Sequence, residues 1–432
     1  MGFDMSIPVR FLYSFVNFLI YTFLNSNSSF ELRDGKMDRL QQSTENGLGL
    51  NLYVDGRFGS FSTNRLDKKE LETLITNGIE STRYLAVDES RMLADPARYY
   101  KGGKPDLQLF DKKLYEVNPD DKVAIARAAA EEVLGKDERI ISVDSSYSDG
   151  EGSSYRLISN GFEGESKSTW FSVSASVSIK GEGEARPQDY WYDSALFYDK
   201  LTKTGIGAKA LERVLRKLGQ KKAKSGKYTM VVDPMNVGNL LSPMLSALYG
   251  SALQQKNSFL MDKLDTKVAS DLFTLRDEPH AIGANGSRYF DNEGVATEPR
   301  TVFDKGVLKT YFIDTYNGKK MDIAPTISAP SRLILTPGDK DLNGLVADIK
   351  QGILVTGFNG GNSNSSTGDF SYGIEGFLIE DGKLTQPVNE MNVTGNMVTL
   401  WNSLVAVGND PQPNRSWQIP SLVFEGVDFS GL

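Results

Sequence analysis

The chain has 432 residues, of which 39% are hydrophobic and 24% are charged, and its net charge is −8 at pH 7. This length exceeds what one ordinary hydrophobic core organises, so two domains are expected. The chain has no cysteine and one histidine, His280, which excludes disulfides, cysteine nucleophiles and any metal site that needs two histidine ligands. The negative charge argues against general affinity for nucleic acid, because such affinity requires cations that neutralise phosphates.

The N-terminal segment contains an apolar run over residues 7–24, which Arg10 and Asn17 interrupt and which is long enough to span a bilayer. It makes a poor secretion signal, because Asp4 lies in the region that should be basic and no small-residue cleavage site follows. Three interpretations stay open: an altered reading frame or misassigned start, a membrane or export segment, and an unusual buried element. We treat residues 1–28 as an atypical segment and, from the rest of the chain, expect a cytoplasmic protein without membrane association.

Residues 29–225 are predicted to form an N-terminal domain of mixed α/β structure. Alternating apolar residues predict a strand over 29–35 and a hairpin over 47–62 that turns at Asp55-Gly56. Residues 140–192 are predicted to form a meander of strands with turns at three sites: Asp149-Gly150, Asn160-Gly161 and residues 181–183. Apolar residues at helical spacing predict three helices, over 66–85, 120–134 and 205–218.

The densest cationic cluster of the chain spans residues 203–227, and we place the domain boundary in its basic linker, 219–226. The cluster comprises Lys203, Lys209, Arg213, Arg216, Lys217, Lys221, Lys222, Lys224 and Lys227. One interpretation is a nucleic-acid surface, and the other is a solvated helix face followed by a linker. We favour the second, because the aromatic residues that stack on single strands are missing and no groove-reading motif is evident.

Residues 226–432 are predicted to form a C-terminal, β-rich domain. A strand over 228–233 precedes a very apolar segment, 239–250, which indicates a buried helix with Pro243 near its start. We expect the helix to continue through 253–264 and a strand to follow over 267–275. The remaining segments indicate short strands joined by Asp-Gly, Lys-Gly and Asn-Gly turns, hence a largely antiparallel sheet; they are residues 288–294, 304–312, 352–358, 371–382, 394–396 and 408–410.

Taken together, these segments resemble the TldD/TldE family, also called PmbA and also labelled as modulators of DNA gyrase. The resemblance covers roughly residues 29–432. It implies an α+β fold with a mixed N-terminal domain and a mostly antiparallel C-terminal domain that places a helix at a metal site. In the TldD branch this helix carries His-Glu-x-x-x-His, which supplies two zinc ligands and a general base.

In this chain the three metal-site positions fall on Ser242, Pro243 and Ala247. Neither serine nor alanine is a usual zinc ligand, and proline cannot accept a proton. The TldD branch takes a third ligand, a cysteine, from near its C-terminus, where this chain has residues 417–421 and no cysteine. The resemblance therefore implies the TldE (PmbA) branch, with no catalytic residue and no metal in this chain.

The segment over residues 359–368 is the most Gly/Ser-rich of the chain. It lacks the Gly-Lys-Ser/Thr ending of a phosphate-binding loop, and a strand pattern follows it. A structural turn is one interpretation. The other, which the resemblance suggests, is a peptide-contacting loop with Gly360, Gly361, Asn362 and Ser366 as candidate binding residues.

Other polar residues suggest catalysis more weakly. His280 follows two carboxylates, but no nucleophile motif accompanies it, so we expect a surface or hydrogen-bonded histidine. Asp291 and Glu293 lie two residues apart, as a carboxylate pair on one face would, and we favour a structural role. A metal-free hydrolase that uses Ser242 or Ser246 would require evidence beyond the sequence.

The resemblance implies a non-catalytic subunit that pairs with a TldD-type zinc metallopeptidase, which would hold the zinc, and that helps to process extended peptides. The alternatives are a stand-alone homodimeric peptide-binding protein and a regulator of DNA gyrase. The residues themselves do not support the gyrase label, and we expect no nucleic-acid partner.

Overall fold

The computed structural model describes residues 16–432 and has the predicted α+β fold. The N-terminal half forms one six-stranded sheet in which every neighbouring pair is antiparallel, in the order β3-β2-β1-β4-β5-β6. Its strands are β1 (Asn17–Arg33), β2 (Lys36–Val54), β3 (Arg57–Thr63), β4 (Ile140–Ile158), β5 (Phe162–Ile179) and β6 (Gln188–Ala195). The turns predicted at Asp55-Gly56 and Asn160-Gly161 are confirmed, since each joins two of these strands.

Three helices of this half were predicted from apolar spacing and are confirmed: α1 (Lys68–Thr82), α2 (Pro119–Glu131) and α3 (Ile206–Leu215). Each of the first two begins at a polar N-cap, since Asp67 accepts a hydrogen bond from the Glu70 amide and Asn118 accepts one from the Asp121 amide. All three helices pack on the same face of the sheet, where their apolar residues share cores with alternate strand residues. The opposite face of the sheet meets the C-terminal half, to whose core Leu19 contributes.

The C-terminal half contains two sheets. A five-stranded sheet has the order β10-β9-β8-β11-β16, and a six-stranded sheet has the order β14-β13-β12-β7-β17-β15, with β14 also pairing with β17. Its strands are β7 (Gly226–Val232), β8 (Leu275–Asp277), β9 (Arg300–Asp304), β10 (Val307–Leu308), β11 (Leu333–Leu335), β12 (Gln351–Ser363), β13 (Asp369–Glu380), β14 (Lys383–Asn396), β15 (Leu404–Val407), β16 (Trp417–Gln418) and β17 (Leu422–Ser430). Most pairings are antiparallel, as predicted, but β7–β12 and β11–β16 are parallel.

The C-terminal helices are short. They are α4 (Gly238–Ser246), α5 (Gly250–Gln254), α6 (Thr315–Met321), α7 (Leu342–Ala347) and α8 (Met397–Asn402). The helix predicted to continue through 253–264 is wrong, because α5 ends at Gln254 and turns follow. The strand predicted over 267–275 is also wrong, since β8 begins only at Leu275.

The turn predicted at Asp149-Gly150 is wrong because both residues lie inside β4. The Asp149 carboxylate is 2% exposed and is paired with Lys122 of α2, so a tertiary ion pair overrides the local turn preference. A Cβ on Gly150 would lie 2.4 Å from the Ser26 carbonyl oxygen of β1. Glycine at this position therefore serves the close approach of two strands.

The N-terminal apolar run falls partly outside the described residues, since residues 7–15 precede them. Its second part begins β1 at Asn17, earlier than the strand predicted to open at residue 29, and Phe18 and Ile20 are fully buried. Within residues 16–432, no helix is both long and apolar enough to cross a membrane. The division of the chain at residues 28 and 225 stays a prediction.

Candidate functional site

Helix α4 begins earlier than its sequence suggests. The Asp233 carboxylate accepts hydrogen bonds from the Asn236 amide N–H (3.1 Å) and side chain (2.7 Å), which winds the chain into a turn before Gly238. Pro243 consequently lies inside α4 and not near its start, a correction to the prediction. Burial raises the pKa of Asp233 to about 6, so this helix start rests on a carboxylate held away from water.

The three positions that the resemblance assigns to the metal site have different surroundings in this chain. The side chain of Ser242 is exposed, Pro243 is half-buried, and Ala247 is 1% exposed in the main C-terminal core. An exposed hydroxyl, a pyrrolidine ring and a buried methyl group provide no nitrogen, thiolate or carboxylate donor for zinc. These residues therefore do not fit the metal.

The segment that would supply the third ligand makes structural hydrogen bonds instead. The Ser421 hydroxyl donates to Asp410 Oδ2 (2.8 Å) and the Ser421 amide to Asp410 Oδ1 (3.0 Å), while Asp410 also accepts from the Leu342 amide (2.9 Å). No group of three or more His, Asp or Glu side chains within residues 16–432 is placed to hold a metal ion. That the purified chain binds no zinc stays a prediction.

The first half of the Gly/Ser-rich segment is strand, and the second half is the turn between β12 and β13. Gly360, Gly361 and Asn362 lie in β12 beside a break in its register with β13, and Ser366 lies in the turn between them. Gly361 has φ +91°, and a Cβ there would lie 2.0 Å from the Ser371 carbonyl oxygen, so only glycine fits. All four candidate peptide-contacting residues are exposed.

The tip of this β12–β13 hairpin is bound to residues 257–259, which in turn contact the C-terminal end of helix α4. The Phe259 amide donates to the Ser365 carbonyl (3.0 Å), and the Ser365 and Ser366 hydroxyls both donate to Asn257 Oδ1. One residue further on, the Ser258 hydroxyl donates to the carbonyl of Ala247 (2.6 Å). The structure thus brings the candidate peptide-contacting residues and the C-terminal end of α4 into one neighbourhood, a juxtaposition that the sequence does not show.

The acidic residues of segment 288–294 have separate structural partners. The Asp291 carboxylate, which is 1% exposed, accepts from the amides of Glu293, Val295 and Ser328 at 2.8–3.0 Å. Glu293 accepts from the Thr315 amide (3.0 Å) and hydroxyl (2.9 Å), which joins it to the start of α6. Burial raises the pKa of Glu293 to about 7.

His280 forms no triad with the carboxylates that precede it. Its Nε2 atom lies 3.1 Å from the Thr297 hydroxyl, and its ring packs against Tyr289 with the centroids 5.0 Å apart. Burial lowers the pKa of His280, which favours the neutral ring. The expectation of a hydrogen-bonded histidine is confirmed.

The basic cluster is not simply a solvated helix face. Lys217 Nζ lies 2.7 Å from Glu375 of β13 and 3.2 Å from Asp189 of β6, and the Lys217 side chain is 10% exposed. Arg213 Nε also binds Asp189, at 3.2 Å, with its side chain 15% exposed. These two cations therefore join the N-terminal and C-terminal halves, since Arg213 Nη1 also lies 4.0 Å from Asp233 Oδ2, which follows β7. Sequence reasoning missed this role, because their acidic partners are distant along the chain.

A cleft of about 1740 Å³ lies between the N-terminal sheet and the segment that contains Tyr289 and Phe290. Residues 100–110 form a third side, on which Tyr100 stacks on Tyr289 with ring centroids 5.1 Å apart. Residues from β1, β2, β4 and β5 form the floor. Aromatic walls over a polar floor suit the binding of an extended molecule. No local signal marks this cleft, since its parts are brought together only by tertiary packing.

Family models and relatives agree with this architecture. The family model of PmbA/TldA metallopeptidase domain 1 matches residues 25–82 of this chain. The model of the central domain matches residues 112–218, and that of the C-terminal domain matches residues 225–431. A relative named metalloprotease PmbA homolog, from Haemophilus influenzae, is 28% identical over 414 residues, which cover 94% of this chain and 90% of the relative.

Solved structures extend the similarity. One, from Bacteroides thetaiotaomicron and named as a candidate modulator of DNA gyrase, is 72% identical with a TM-score of 0.95, covering 96% of this chain and 95% of that one. TldE from Thermococcus kodakarensis is 20% identical and has a TM-score of 0.84. The match covers 99% of this chain and 100% of that chain, which shows the shared fold. With three domain models matched in order and this structural relative, the chain belongs to the PmbA/TldD/TldE family.

Proposed function

We propose that this chain is a non-catalytic subunit that pairs with a TldD-type zinc metallopeptidase and helps that partner to process extended peptides. The observation that carries the proposal is the set of side chains at the metal-site positions. Ser242, Pro243 and Ala247 offer zinc no donor of the usual kind, and nothing at Pro243 accepts a proton. The names of several relatives contain the word metalloprotease, so the family chemistry would come from a subunit that retains the ligands.

The β12–β13 hairpin supports a contribution of this chain to peptide binding. Gly360, Gly361 and Asn362 lie on an exposed strand end, and Ser366 lies in the adjoining turn, where its hydroxyl donates to Asn257 Oδ1. Irregular strand ends with exposed backbone groups are suited to pair with an extended peptide. Zinc and the catalytic base would then be supplied by the partner subunit.

The first test measures metal and activity with the purified chain alone and after co-purification from its host. We expect no stoichiometric zinc and no cleavage of extended peptides by the chain alone. We also expect co-purification with a protein that carries His-Glu-x-x-x-His, together with peptide cleavage by that complex. Stoichiometric zinc in this chain, or clear turnover by it alone, would defeat the proposal.

The second test separates peptide binding from catalysis in the complex. The double substitution Asn362→Ala and Ser366→Ala should raise KM severalfold and leave kcat nearly unchanged, because it removes contacts with the substrate and not with the reacting bond. Thr385→Ala, at an exposed position of β14, is the matched control. Ser242→Ala should leave the activity unchanged; if it abolishes activity, this chain contributes a nucleophile.

A further inference from the structure

Arg156 of β4 is a half-buried cation of the cleft, and it has no anionic partner among the described residues. Its Nη1 atom donates to the backbone carbonyl of Asp291 (3.1 Å). Its Nε atom is buried and makes no hydrogen bond within residues 16–432. Burial lowers the pKa of Arg156, but a guanidinium stays protonated in proteins, so its charge is left without compensation. A buried donor that is left unsatisfied indicates that a further group completes its surroundings.

Arg288 lines the same cleft and forms no ion pair within the part of the chain that the structure describes. It donates from Nε to the Ser331 hydroxyl (2.9 Å) and from Nη2 to the carbonyls of Ala329 (2.8 Å) and Pro330 (3.1 Å). These contacts fix the guanidinium but supply no negative charge. After burial, the charge of Arg288 is a second cause that lowers the pKa of Arg156. The two cations therefore repel each other, and an anion that binds between them relieves the repulsion.

The two buried carboxylates of this region are used by backbone amides. The Asp291 carboxylate accepts three of them, and the Asp277 carboxylate accepts those of Ser331 and Arg332 at 2.8–3.1 Å. Both side chains are 2% or less exposed. Neither carboxylate therefore forms a direct ion pair with the arginines of the cleft, and neither presents its charge to the cleft.

The charged side chains that line the cleft are mostly cations, although the net charge of the chain is −8. Four are cations and two are acids, and they are Lys104, Arg156, Lys167, Arg288, Asp106 and Glu165. Both acids are exposed, whereas both arginines are half-buried. The positive charge is therefore concentrated in the interior of the cleft, where attraction to an anion is screened least by water.

The rest of the lining fits a peptide better than a small anion. Lys104 Nζ lies 5.4 Å from the ring centroid of Tyr289, which Tyr100 stacks against. On the floor, the hydroxyls of Ser154 and Ser166 lie 2.9 Å apart. A volume of about 1740 Å³ far exceeds one phosphate or one carboxylate. Flat rings pack against the side chains of an extended chain, and hydroxyls bind its amides.

We propose that this cleft binds an extended acidic peptide, whose carboxylates are held by Arg156 and Arg288. The class of ligand rests on the proposed function, which concerns extended peptides. Hydrogen bonds between a guanidinium and a carboxylate are about twice as strong as those between neutral groups. The cleft therefore selects peptides rich in Asp and Glu over neutral peptides of the same length.

Fluorescence anisotropy with two labelled nonapeptides tests this selectivity on the purified full chain. One peptide consists of Gly-Glu-Ser repeats and the other of Gly-Gln-Ser repeats, so that they differ in charge and hardly in shape. At about 50 mM salt, we expect the glutamate peptide to bind at least about 10-fold more tightly. Equal affinities, or no binding of the glutamate peptide, would overturn the proposal.

Substitutions locate the binding site. Arg156→Gln and Arg288→Gln should each weaken the glutamate peptide about 10-fold and leave the glutamine peptide nearly unchanged, because each removes one charge-assisted contact. Lys104→Glu changes an exposed position, so it preserves the fold and should weaken the glutamate peptide about 3-fold. Arg127→Gln, at an exposed position of α2 outside the cleft lining, is the matched control and should have no effect.

These measurements separate the proposal from the proposed function, because they need neither zinc nor a partner subunit. Selective binding by a chain that co-purifies with no metallopeptidase would support the cleft and defeat the proposed function. An active complex whose chain shows no preference between the two peptides would do the reverse. Folded variants of Arg156 and Lys104 that bind like the wild type would overturn the assignment of the site. Tighter binding of oligo(dT) of matched charge would overturn the choice of a peptide.

Discussion

At the scale of single residues, Ala247 occupies one of the two positions that the resemblance assigns to zinc ligands. Its methyl group is buried with the apolar side chains of the main C-terminal core, and its carbonyl accepts the Ser258 hydroxyl. Ser242, on the same helix, is exposed. One of the two ligand positions is therefore used for packing, and the other faces solvent.

This difference predicts unequal responses to histidine at the two positions. Ala247→His should lower the free energy of unfolding by about 1–3 kcal/mol, because the imidazole overfills a packed core. Ser242→His should change it by less than about 0.5 kcal/mol, as surface substitutions usually do. Urea denaturation of the two variants measures both values. Equal tolerance at both positions would show that the Ala247 site has room for a ligand side chain.

Glu293 predicts a pH dependence of stability. Its folded-state pKa is raised from 4.5 to about 7, chiefly by burial, so folding favours its protonated form. This contribution to stability is fully present below about pH 4.5 and is lost as the pH rises through about 7. Glu293→Gln removes the titration and keeps an acceptor for the Thr315 amide.

We therefore expect the free energy of unfolding of Glu293→Gln, relative to the wild type, to rise by about 3 kcal/mol between pH 4.5 and pH 8. Denaturation at several pH values gives both curves. Parallel curves across this range would contradict the assignment, because the two proteins would then bind the same number of protons on unfolding.

At the scale of elements, helix α3 holds the two halves of the molecule together. Its apolar face packs in the N-terminal core, as the spacing of its apolar residues predicts. Its cations include Arg213, and Lys217 follows the helix directly; both bind Asp189 of β6, and Lys217 also binds Glu375 of β13. The polar side of this helix is therefore only partly solvated: Lys209 and Glu212 are exposed, whereas Arg213 and the following Lys217 are buried in ion pairs.

Removing the Lys217 cation leaves two buried carboxylates near each other. Lys217→Ala should lower the free energy of unfolding by about 3 kcal/mol, because Glu375 loses its cation and Asp189 keeps only Arg213. Lys209→Ala is the matched control, since Lys209 pairs with Glu212 where both side chains are 41% or more exposed, and it should cost less than about 0.5 kcal/mol. Equal effects of the two substitutions would exclude a buried role for Lys217.

At the scale of the whole molecule, the distribution of charge bears on the gyrase label of some relatives. The net charge is −8, and the densest cationic cluster is largely paired, with Lys222 bound to Glu390 and Lys227 to Asp428 in addition to the buried pairs of Lys217. Binding to duplex DNA depends on cations that are free to displace counterions from phosphates. The negative net charge and the pairing within the cationic cluster leave few cations free for this role.

We expect the purified chain to elute from immobilised duplex DNA below about 150 mM salt. Reversal of exposed cations, for example Lys224→Glu, should not change the elution. Retention above that concentration, with loss of retention on such a reversal, would revive a nucleic-acid role.

Local patterns in the sequence were sufficient for much of the fold. Apolar spacing predicted α1, α2 and α3, because a helix that packs on a sheet must place its apolar residues on one stripe. Glycines in Asp55-Gly56 and Asn160-Gly161 predicted turns, because those positions need backbone angles that other residues resist. The wrong helix over 253–264 came from the same reasoning, since apolar residues in an irregular buried segment imitate helical spacing.

The sequence by itself determined which donors are present: the chain has no cysteine and one histidine, and the positions that the resemblance assigns to the metal hold Ser242, Pro243 and Ala247. Only the tertiary structure decided that Asp149 lies within a strand and that Lys217 joins the N-terminal and C-terminal halves. The physical reason is the separation along the chain over which each property is set. Donor chemistry and backbone preference belong to single residues and short segments, whereas burial and pairing depend on residues that only folding brings together.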